Sequence, residues 1–161
     1  LVSANRAIHD RVAGSSQVSG STVVALHRTG EGRATILWAG DSRAYRLRGG
    51  ALVQLTRDHS VVQEMVDAGV LAPDRAEAHP QAHVITRALG TSGSVAIDRV
   101  RTDVRAGDIY LLCSDGLSRE IGDEALARTL ALPITQAADT LLADALAAGG
   151  TDNISFVLIE A

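Results

Sequence analysis

The chain has 161 residues and a formal net charge of −4, so it is long enough for one folded domain and lacks a basic surplus for binding nucleic acid. Hydrophobic residues make up 46% of the sequence and aromatic residues 2%, which predicts an aliphatic core and excludes a base-stacking platform. No apolar run approaches the ~20 residues of a membrane-spanning helix. The single cysteine, Cys113, lies in an apolar run, and a lone buried thiol fits the reducing cytoplasm, where we expect the protein.

The hydrophobic pattern predicts an α+β domain of antiparallel hairpins with helices outside. In chain order it predicts a helix at 1–13, a loop at 15–20, a strand at 21–27, a turn at 29–32, strands at 33–39, 44–48 and 51–55, a helix at 59–68, strands at 95–104 and 108–114, helices at 123–130 and 134–148, and a strand at 153–160. The last strand is almost continuously apolar, so both of its faces should be buried, as in a sheet between another sheet and helices. We find no linker and expect one domain over 1–161.

Three aspartate motifs stand at the ends of predicted strands. Asp41 follows 33–39, Asp115 follows 108–114, and Asp152 precedes the last strand. If the last two strands pair antiparallel, Asp115 and Asp152 meet at one edge of the sheet. Two close carboxylates repel each other unless protons or cations intervene, and oxygen ligands suit Mg²⁺ or Mn²⁺. The pattern indicates a metal-dependent hydrolase.

Plainer interpretations of these residues remain open. An aspartate beside a glycine commonly makes a turn or a helix cap, and Asp41 could form an Asx turn with Arg43 paired to a carboxylate. Arg87 could bind phosphate or make a structural salt bridge. The irregular stretch 71–94 is long for a compact domain, which favours a functional segment.

The ordered set of motifs resembles the bacterial PP2C-type (PPM) serine/threonine protein phosphatases over almost the whole chain. The motifs that carry this resemblance are Gly40-Asp41-Ser42-Arg43, Thr56-Arg57-Asp58-His59-Ser60, His79-Pro80, Thr86-Arg87-Ala88-Leu89-Gly90, Gly107-Asp108, Ser114-Asp115-Gly116-Leu117 and Gly150-Thr151-Asp152-Asn153.

The resemblance implies a four-layer α/β/β/α sandwich that hydrolyses phosphoserine and phosphothreonine on proteins, the substrates of a serine/threonine kinase. It implies two Mn²⁺ or Mg²⁺ ions that activate a water, with no phosphoenzyme. Asp115 and Asp152 match metal ligands, and Asp41 matches a ligand of a weaker third ion. Asn153 and Gly116 match supporting residues. Residues 58–90, with His59, His79 and Arg87, match a flap beside the active site that is implicated in substrate selection.

Two departures from the family pattern bear on activity. The Asp-Gly-x-Gly-Gly-His motif, which supplies a bridging aspartate and a candidate acid histidine, is absent from the chain, and so is the upstream phosphate-binding arginine. We interpret the chain as an N-terminally truncated domain with weak or no activity alone. Arg119 stands where the family has a third-metal aspartate, with Glu120 beside it, and a cation there weakens such a site. Two alternatives stay open: a non-catalytic phosphoprotein-binding pseudophosphatase, and a related regulator of sporulation or stress factors.

Overall fold

The computed structural model describes residues 1–14, 17–28, 30 and 32–161, so the predicted loop at 15–20 and turn at 29–32 lie partly outside the described residues. The helices are α1 (Val2–Val12), α2 (Val61–Asp67), α3 (Asp115–Ser118), α4 (Asp123–Leu130) and α5 (Ile134–Ala148), with a 3-10 helix at Pro73–Arg75. The strands are β1 (Val23–Arg28), β2 (Arg33–Ala39), β3 (Arg43–Arg48), β4 (Ala51–Gln54), β5 (Asp98–Asp103), β6 (Ile109–Cys113) and β7 (Phe156–Glu160).

Most predicted elements agree with the observed ones to within two residues at each end; the exceptions are the strands predicted at 95–104 and 153–160, helix α3 and the 3-10 helix. The predicted helices at 123–130 and 134–148 match α4 and α5 to the residue. The strand predicted at 95–104 is shorter, because pairing begins only at Asp98. Helix α3 was not predicted, since its four residues are too few to show a helical period.

The four-stranded sheet has the order β4-β3-β6-β7, and its neighbouring strands pair antiparallel. Gly49 and Gly50 form the predicted hairpin turn between β3 and β4. The other sheet has three strands in the order β1-β2-β5.

One face of the four-stranded sheet packs against the helices that follow it. Its core is aliphatic apart from one tyrosine and one cysteine, and consists of Tyr45, Leu47, Leu111, Cys113, Leu117, Ile121, Leu126, Leu130, Leu141 and Ala145. Cys113 is 2% exposed, which confirms the expectation of a buried thiol. Because Leu117 belongs to this core, the packing holds α3 in place where it follows β6 in the chain.

The prediction that the last strand is buried on both faces was wrong. β7 is an edge strand of its sheet, and Val157 is 56% exposed. Phe156 and Leu158 pack on the core cluster, whereas Val157 lies between them and points to the opposite face because strand side chains alternate. An apolar run therefore did not mean two covered faces in this structure.

Contacts divide the chain into two compact units. The first comprises Leu1–Val23, Leu37–Asp41 and Arg57–Arg99, and the second comprises Val24–Ile36, Ser42–Thr56 and Val100–Ala161. The one-domain organisation stays a prediction. Among the described residues, no helix combines the length and the apolar character needed to cross a membrane.

Candidate functional site

In the second unit, the antiparallel pairing of β6 with β7 brings two of the aspartate motifs together. Cys113 lies opposite Phe156 in the register. Just beyond this pair, the Ser114 N–H donates to the Ser155 carbonyl at 2.9 Å, and the Ser114 hydroxyl donates to the Asn153 carbonyl at 3.1 Å. The pairing expected from the sequence is confirmed, and it holds the Ser-Asp-Gly segment against the segment that carries Asp152.

Gly116 allows this close approach. A Cβ atom at Gly116 would overlap the backbone carbonyl oxygen of Asn153 and approach the carbonyl carbon of Asp152 to 3.4 Å. Only a residue without a side chain lets this turn of α3 pack against the backbone of Asp152 and Asn153. The glycine of the Ser-Asp-Gly motif thus has a steric reason.

Asp115 is the first residue of α3, and only Ser114 separates it from the end of the buried strand β6. Its Oδ2 lies 3.1 Å from Nη1 of Arg119, one helical turn along the chain, and the two side chains are 26% and 28% exposed. The predicted metal ligand therefore already faces a cation of the protein, at a position that is partly shielded from water.

Asp152 lies in an exposed turn before β7. Its Oδ1 accepts a hydrogen bond from the Asn153 N–H at 2.6 Å. The preceding Thr151 donates its hydroxyl to Oε1 of Glu120 at 2.8 Å. Asn153 supports this edge through its backbone carbonyl, the acceptor for Ser114.

The donor chemistry of this edge fits a hard divalent cation, because Asp115 and Asp152 offer carboxylate oxygens at the ends of adjacent strands. Among the described residues, however, no group of three or more His, Cys, Asp or Glu side chains is placed to hold one metal ion. The two aspartates therefore fit part of a metal coordination sphere.

Asp41 belongs to the first unit, where it follows β2 and is buried. The preceding Gly40 has a φ of +112°, and a Cβ there would overlap the side chain of Thr22. The Gly40 N–H donates to Nδ1 of His59 at 3.1 Å, and the Gly40 carbonyl accepts from the His59 N–H at 3.0 Å. His59 thus fixes the backbone that leads into Asp41, whose role as a metal ligand stays a prediction.

His59 is the centre of a polar network in the first unit. Because Nδ1 accepts from Gly40, the ring proton is on Nε2, which donates to Asp98 at 3.2 Å. Arg87 donates to the other oxygen of Asp98 at 2.7 Å. The His59 ring stacks on Trp38, with ring centroids 6.0 Å apart.

Two interpretations of Arg87 were predicted, phosphate binding and a structural salt bridge, and its role in phosphate binding stays a prediction. The structural salt bridge is present, since Nη1 of Arg87 pairs with Asp98. Burial raises the pKa of Asp98, but the hydrogen bonds from His59 and Arg87 together with the charge of Arg87 outweigh it, so the pKa lies below its ordinary value.

His79 accepts a hydrogen bond from the Gln81 N–H within a local turn.

Sequence reasoning missed the partners of these residues. Asp98 is hydrogen-bonded to both His59 and Arg87 and is half-buried in β5. The sequence hinted at this role only by placing a charged residue inside the predicted strand 95–104. The pair of Asp115 with Arg119 was predictable from their spacing of one helical turn, had α3 been recognised.

No protein-family model matches the chain. Among curated proteins, it is 42% identical over 142 residues to the serine/threonine protein phosphatase PstP of Mycobacterium tuberculosis (strain CDC 1551 / Oshkosh). The matched region covers 88% of this chain and 27% of PstP. The chain spans 56% of the serine/threonine phosphatase stp of Listeria monocytogenes serotype 4b (strain F2365), at 35% identity. It therefore spans about half or less of the length of these relatives.

Solved structures agree with these relatives. The PPM Ser-Thr phosphatase MsPP from Mycobacterium smegmatis, in complex with cacodylate, superposes with a TM-score of 0.88 at 35% identity, covering 99% of this chain and 70% of that one. The catalytic domain of PstP in complex with two manganese ions superposes with a TM-score of 0.86 at 38% identity, covering 97% and 66%. The predicted α+β fold class, that of PP2C-like phosphatases, is confirmed, and the chain belongs to the PPM family of serine/threonine protein phosphatases.

Proposed function

We propose that the protein containing this chain hydrolyses phosphoserine and phosphothreonine on other proteins in a metal-dependent reaction. The observation that carries the proposal is the shared edge of β6 and β7, where Gly116 lets the backbone of Asp152 and Asn153 pack against α3. The relatives and solved structures named as serine/threonine phosphatases support the same activity.

The proposed ligands are Asp115 and Asp152 for two Mn²⁺ or Mg²⁺ ions, with Asp41 as a ligand of a weaker third ion. When bound, such ions lower the pKa of a coordinated water and neutralise charge that develops on the phosphoryl group. The two manganese ions in the PstP catalytic domain favour manganese as the first metal to test.

The chain's own residues have positioning roles in this proposal. The Ser114 hydroxyl and the bare backbone of Gly116 hold the two aspartate segments in register. Glu120 restrains Thr151, the residue before Asp152. Fixed ligands need less rearrangement when a cation binds, which favours binding.

For substrates, we propose phosphorylated proteins of the cytoplasm, selected through residues 58–90. In that segment His59 and Arg87 are held by Asp98, so we expect them to shape the flap rather than to contact phosphate. His79 lies in the local turn and is the flap residue that we expect closest to a substrate. Nucleic acid is not a proposed partner.

A second candidate is a non-catalytic module that binds phosphoproteins. One observation favours it: Arg119 already occupies an oxygen of Asp115, the proposed metal ligand.

One experiment separates the two candidates. The full-length protein is incubated with a phosphothreonine peptide in Mn²⁺ and, in parallel, in EDTA, and both peptide binding and phosphate release are measured. We expect Mn²⁺-dependent release that Asp152→Asn abolishes. Peptide binding without release in Mn²⁺ would overturn the enzyme proposal in favour of the binding module.

A further inference from the structure

The ion pair between Asp115 and Arg119 lies at the position where the proposed function requires a metal ligand. Nη1 of Arg119 is 3.1 Å from Oδ2 of Asp115, a distance at which the guanidinium uses one of the carboxylate oxygens. A divalent cation at that oxygen would displace the guanidinium or share the carboxylate with it.

The backbone offers little freedom to separate the two residues. The Arg119 N–H donates to the Asp115 carbonyl at 3.0 Å, which closes the single turn of α3. Leu117 and Ser118, between them, are buried, and Gly116 packs on the backbone of Asn153. Only a change of side-chain rotamer can therefore move Arg119 away from Asp115.

The ion pair of Asp115 with Arg119 is less exposed to water than another ion pair of the same helical spacing in this unit. Arg128 and Glu124 have the same spacing and a similar distance of 3.0 Å, but their side chains are 67% and 93% exposed. Those of Arg119 and Asp115 are 28% and 26% exposed. Water screens a charge pair less as its exposure falls, so the Arg119 charge acts more strongly on Asp115 than an ordinary surface pair would.

We propose that Arg119 competes with divalent metal ions for the Asp115 carboxylate, so that metal binding at Asp115 opens this ion pair. The proposal rests on the proposed role of Asp115 as a metal ligand. Arg119 is then a positioning residue: it holds Asp115 in place without metal and weakens metal binding, both by occupying an oxygen and by repelling a second cation.

The test is the Mn²⁺ dissociation constant of the full-length protein, measured by calorimetry and by the electron paramagnetic resonance signal of free Mn²⁺. Arg119→Gln removes the competing charge and should bind Mn²⁺ roughly tenfold more tightly. A tenfold change corresponds to about 1.4 kcal/mol, which is the scale of one partly shielded charge pair. Arg119→Lys keeps the positive charge and should stay within about threefold of the unmodified protein.

Arg128→Gln is the matched control, because it removes the same charge from the same helical spacing at an exposed site. It should leave the dissociation constant unchanged. Circular dichroism and thermal melting of each variant establish that it is folded, and Arg119→Lys provides a second comparison if Arg119→Gln is unstable.

Asp115→Asn separates the failure of this inference from that of the proposed function. If Asp115→Asn weakens Mn²⁺ binding while Arg119→Gln leaves it unchanged or weaker, the competition is refuted and the ligand assignment stands. If Asp115→Asn has no effect on Mn²⁺ binding, the ligand assignment fails and the competition fails with it. A higher KM for phosphopeptide in Arg119→Gln at unchanged Mn²⁺ affinity would assign Arg119 to the substrate and overturn the proposal.

Discussion

Strand β6 has an aspartate just outside each of its ends, and the two are in opposite environments. Asp108, before the strand, is 1% exposed. Arg48 donates to both of its oxygens at 2.6 Å, and the Arg105 N–H donates to Oδ2 at 2.9 Å. The hydrogen bonds from Arg48 outweigh burial and lower the pKa of Asp108 to about 2.

Asp115, after the strand, is about a quarter exposed, and its carboxylate faces Arg119. The exposed Asp152 lies at the start of the adjacent strand segment. The difference teaches that a Gly-Asp or Asp-Gly pair at a strand end does not itself indicate a site. A carboxylate whose oxygens are filled by protein donors is structural, whereas one at an accessible edge retains capacity for a cation.

The largest expected effect tests the end of β6 at Asp115, which we call the open end because its carboxylate lies at an accessible edge. Asp115→Asn removes a charged oxygen ligand, and we expect Mn²⁺-dependent turnover of the full-length protein to fall by more than about 100-fold, since changes to groups that only support a ligand already cost 10–100-fold. The melting temperature should change little. Turnover and melting are measured on the same preparation.

Asp108→Asn serves as the reciprocal control, because it changes an aspartate at the other end of the same strand. It should lower the melting temperature and leave turnover per folded molecule unchanged. If the two substitutions affected turnover alike, the distinction between a structural and a metal-binding end would be lost.

The sequence could predict the strands and which two aspartate motifs share an edge, because both follow from local patterns. A short apolar run indicated β6, and an acidic first turn and an Ala/Leu-rich composition indicated α4 and α5. Antiparallel pairing of β6 with the last strand then required Asp115 and Asp152 to lie at one end. Short motifs in a fixed order identified the family for the same reason.

The sequence could not predict which charges pair across the fold. Arg48 and Asp108 are 60 residues apart, and His59 and Asp98 are 39 apart, so their contacts depend on the final packing. The exposure of Val157 was mispredicted for a similar reason, since an apolar strand does not record which of its faces is covered.

The next effect concerns the other end of β6, the filled end, where protein donors occupy the oxygens of Asp108. It predicts how the free energy of unfolding depends on pH. Because the pKa of Asp108 is about 2 when folded and near 3.8 in an ordinary setting, its charge stabilises the fold above the unfolded pKa. At about 1.4 kcal/mol per pKa unit, this is about 2 kcal/mol at neutral pH. The contribution should be lost as the pH falls from about 4 towards 2.

The measurement is the free energy of unfolding by urea, compared between the unmodified chain and Asp108→Asn across this pH range. The gap between them should be largest above about pH 5 and close as Asp108 becomes protonated. Asp144→Asn, at an exposed position on α5, removes the same charge and corrects for the general effect of acid. A gap that stays constant down to pH 2 would contradict this account of Asp108.

A similar or smaller effect is expected at Gly116, where the open end depends on close backbone packing. Gly116→Ala places a methyl group against the Asn153 carbonyl oxygen, and we expect a loss of about 1–3 kcal/mol in unfolding free energy from overpacking. Mn²⁺ affinity should fall as well, because the Asp152 segment is pushed away from Asp115.

Gly122→Ala is the control for this change, since a Cβ at Gly122 meets no atom within 4 Å. Gly122 is the N-cap of α4, so a loss below about 1 kcal/mol is expected from the poorer cap. Equal losses in the two variants would show that close packing at Gly116 has no special importance.

The smallest expected effect tests whether the open end is positioned by its surroundings. Thr151→Val removes the hydroxyl that donates to Glu120 while keeping the side-chain shape, and we expect about two- to fivefold weaker Mn²⁺ binding, the scale of one exposed hydrogen bond. Thr140→Val, on α5, is the matched control.

The acceptor side of this hydrogen bond is tested by Glu120→Ala, which removes the acceptor of Thr151 together with a charge near Asp152. The double variant separates the two effects. If the hydrogen bond acts through Asp152, the two substitutions together should weaken binding less than the sum of their separate effects. Additive effects would mean that Glu120 acts by its charge alone, and the edge would then be positioned by Gly116 and Ser114 without help from the preceding loop.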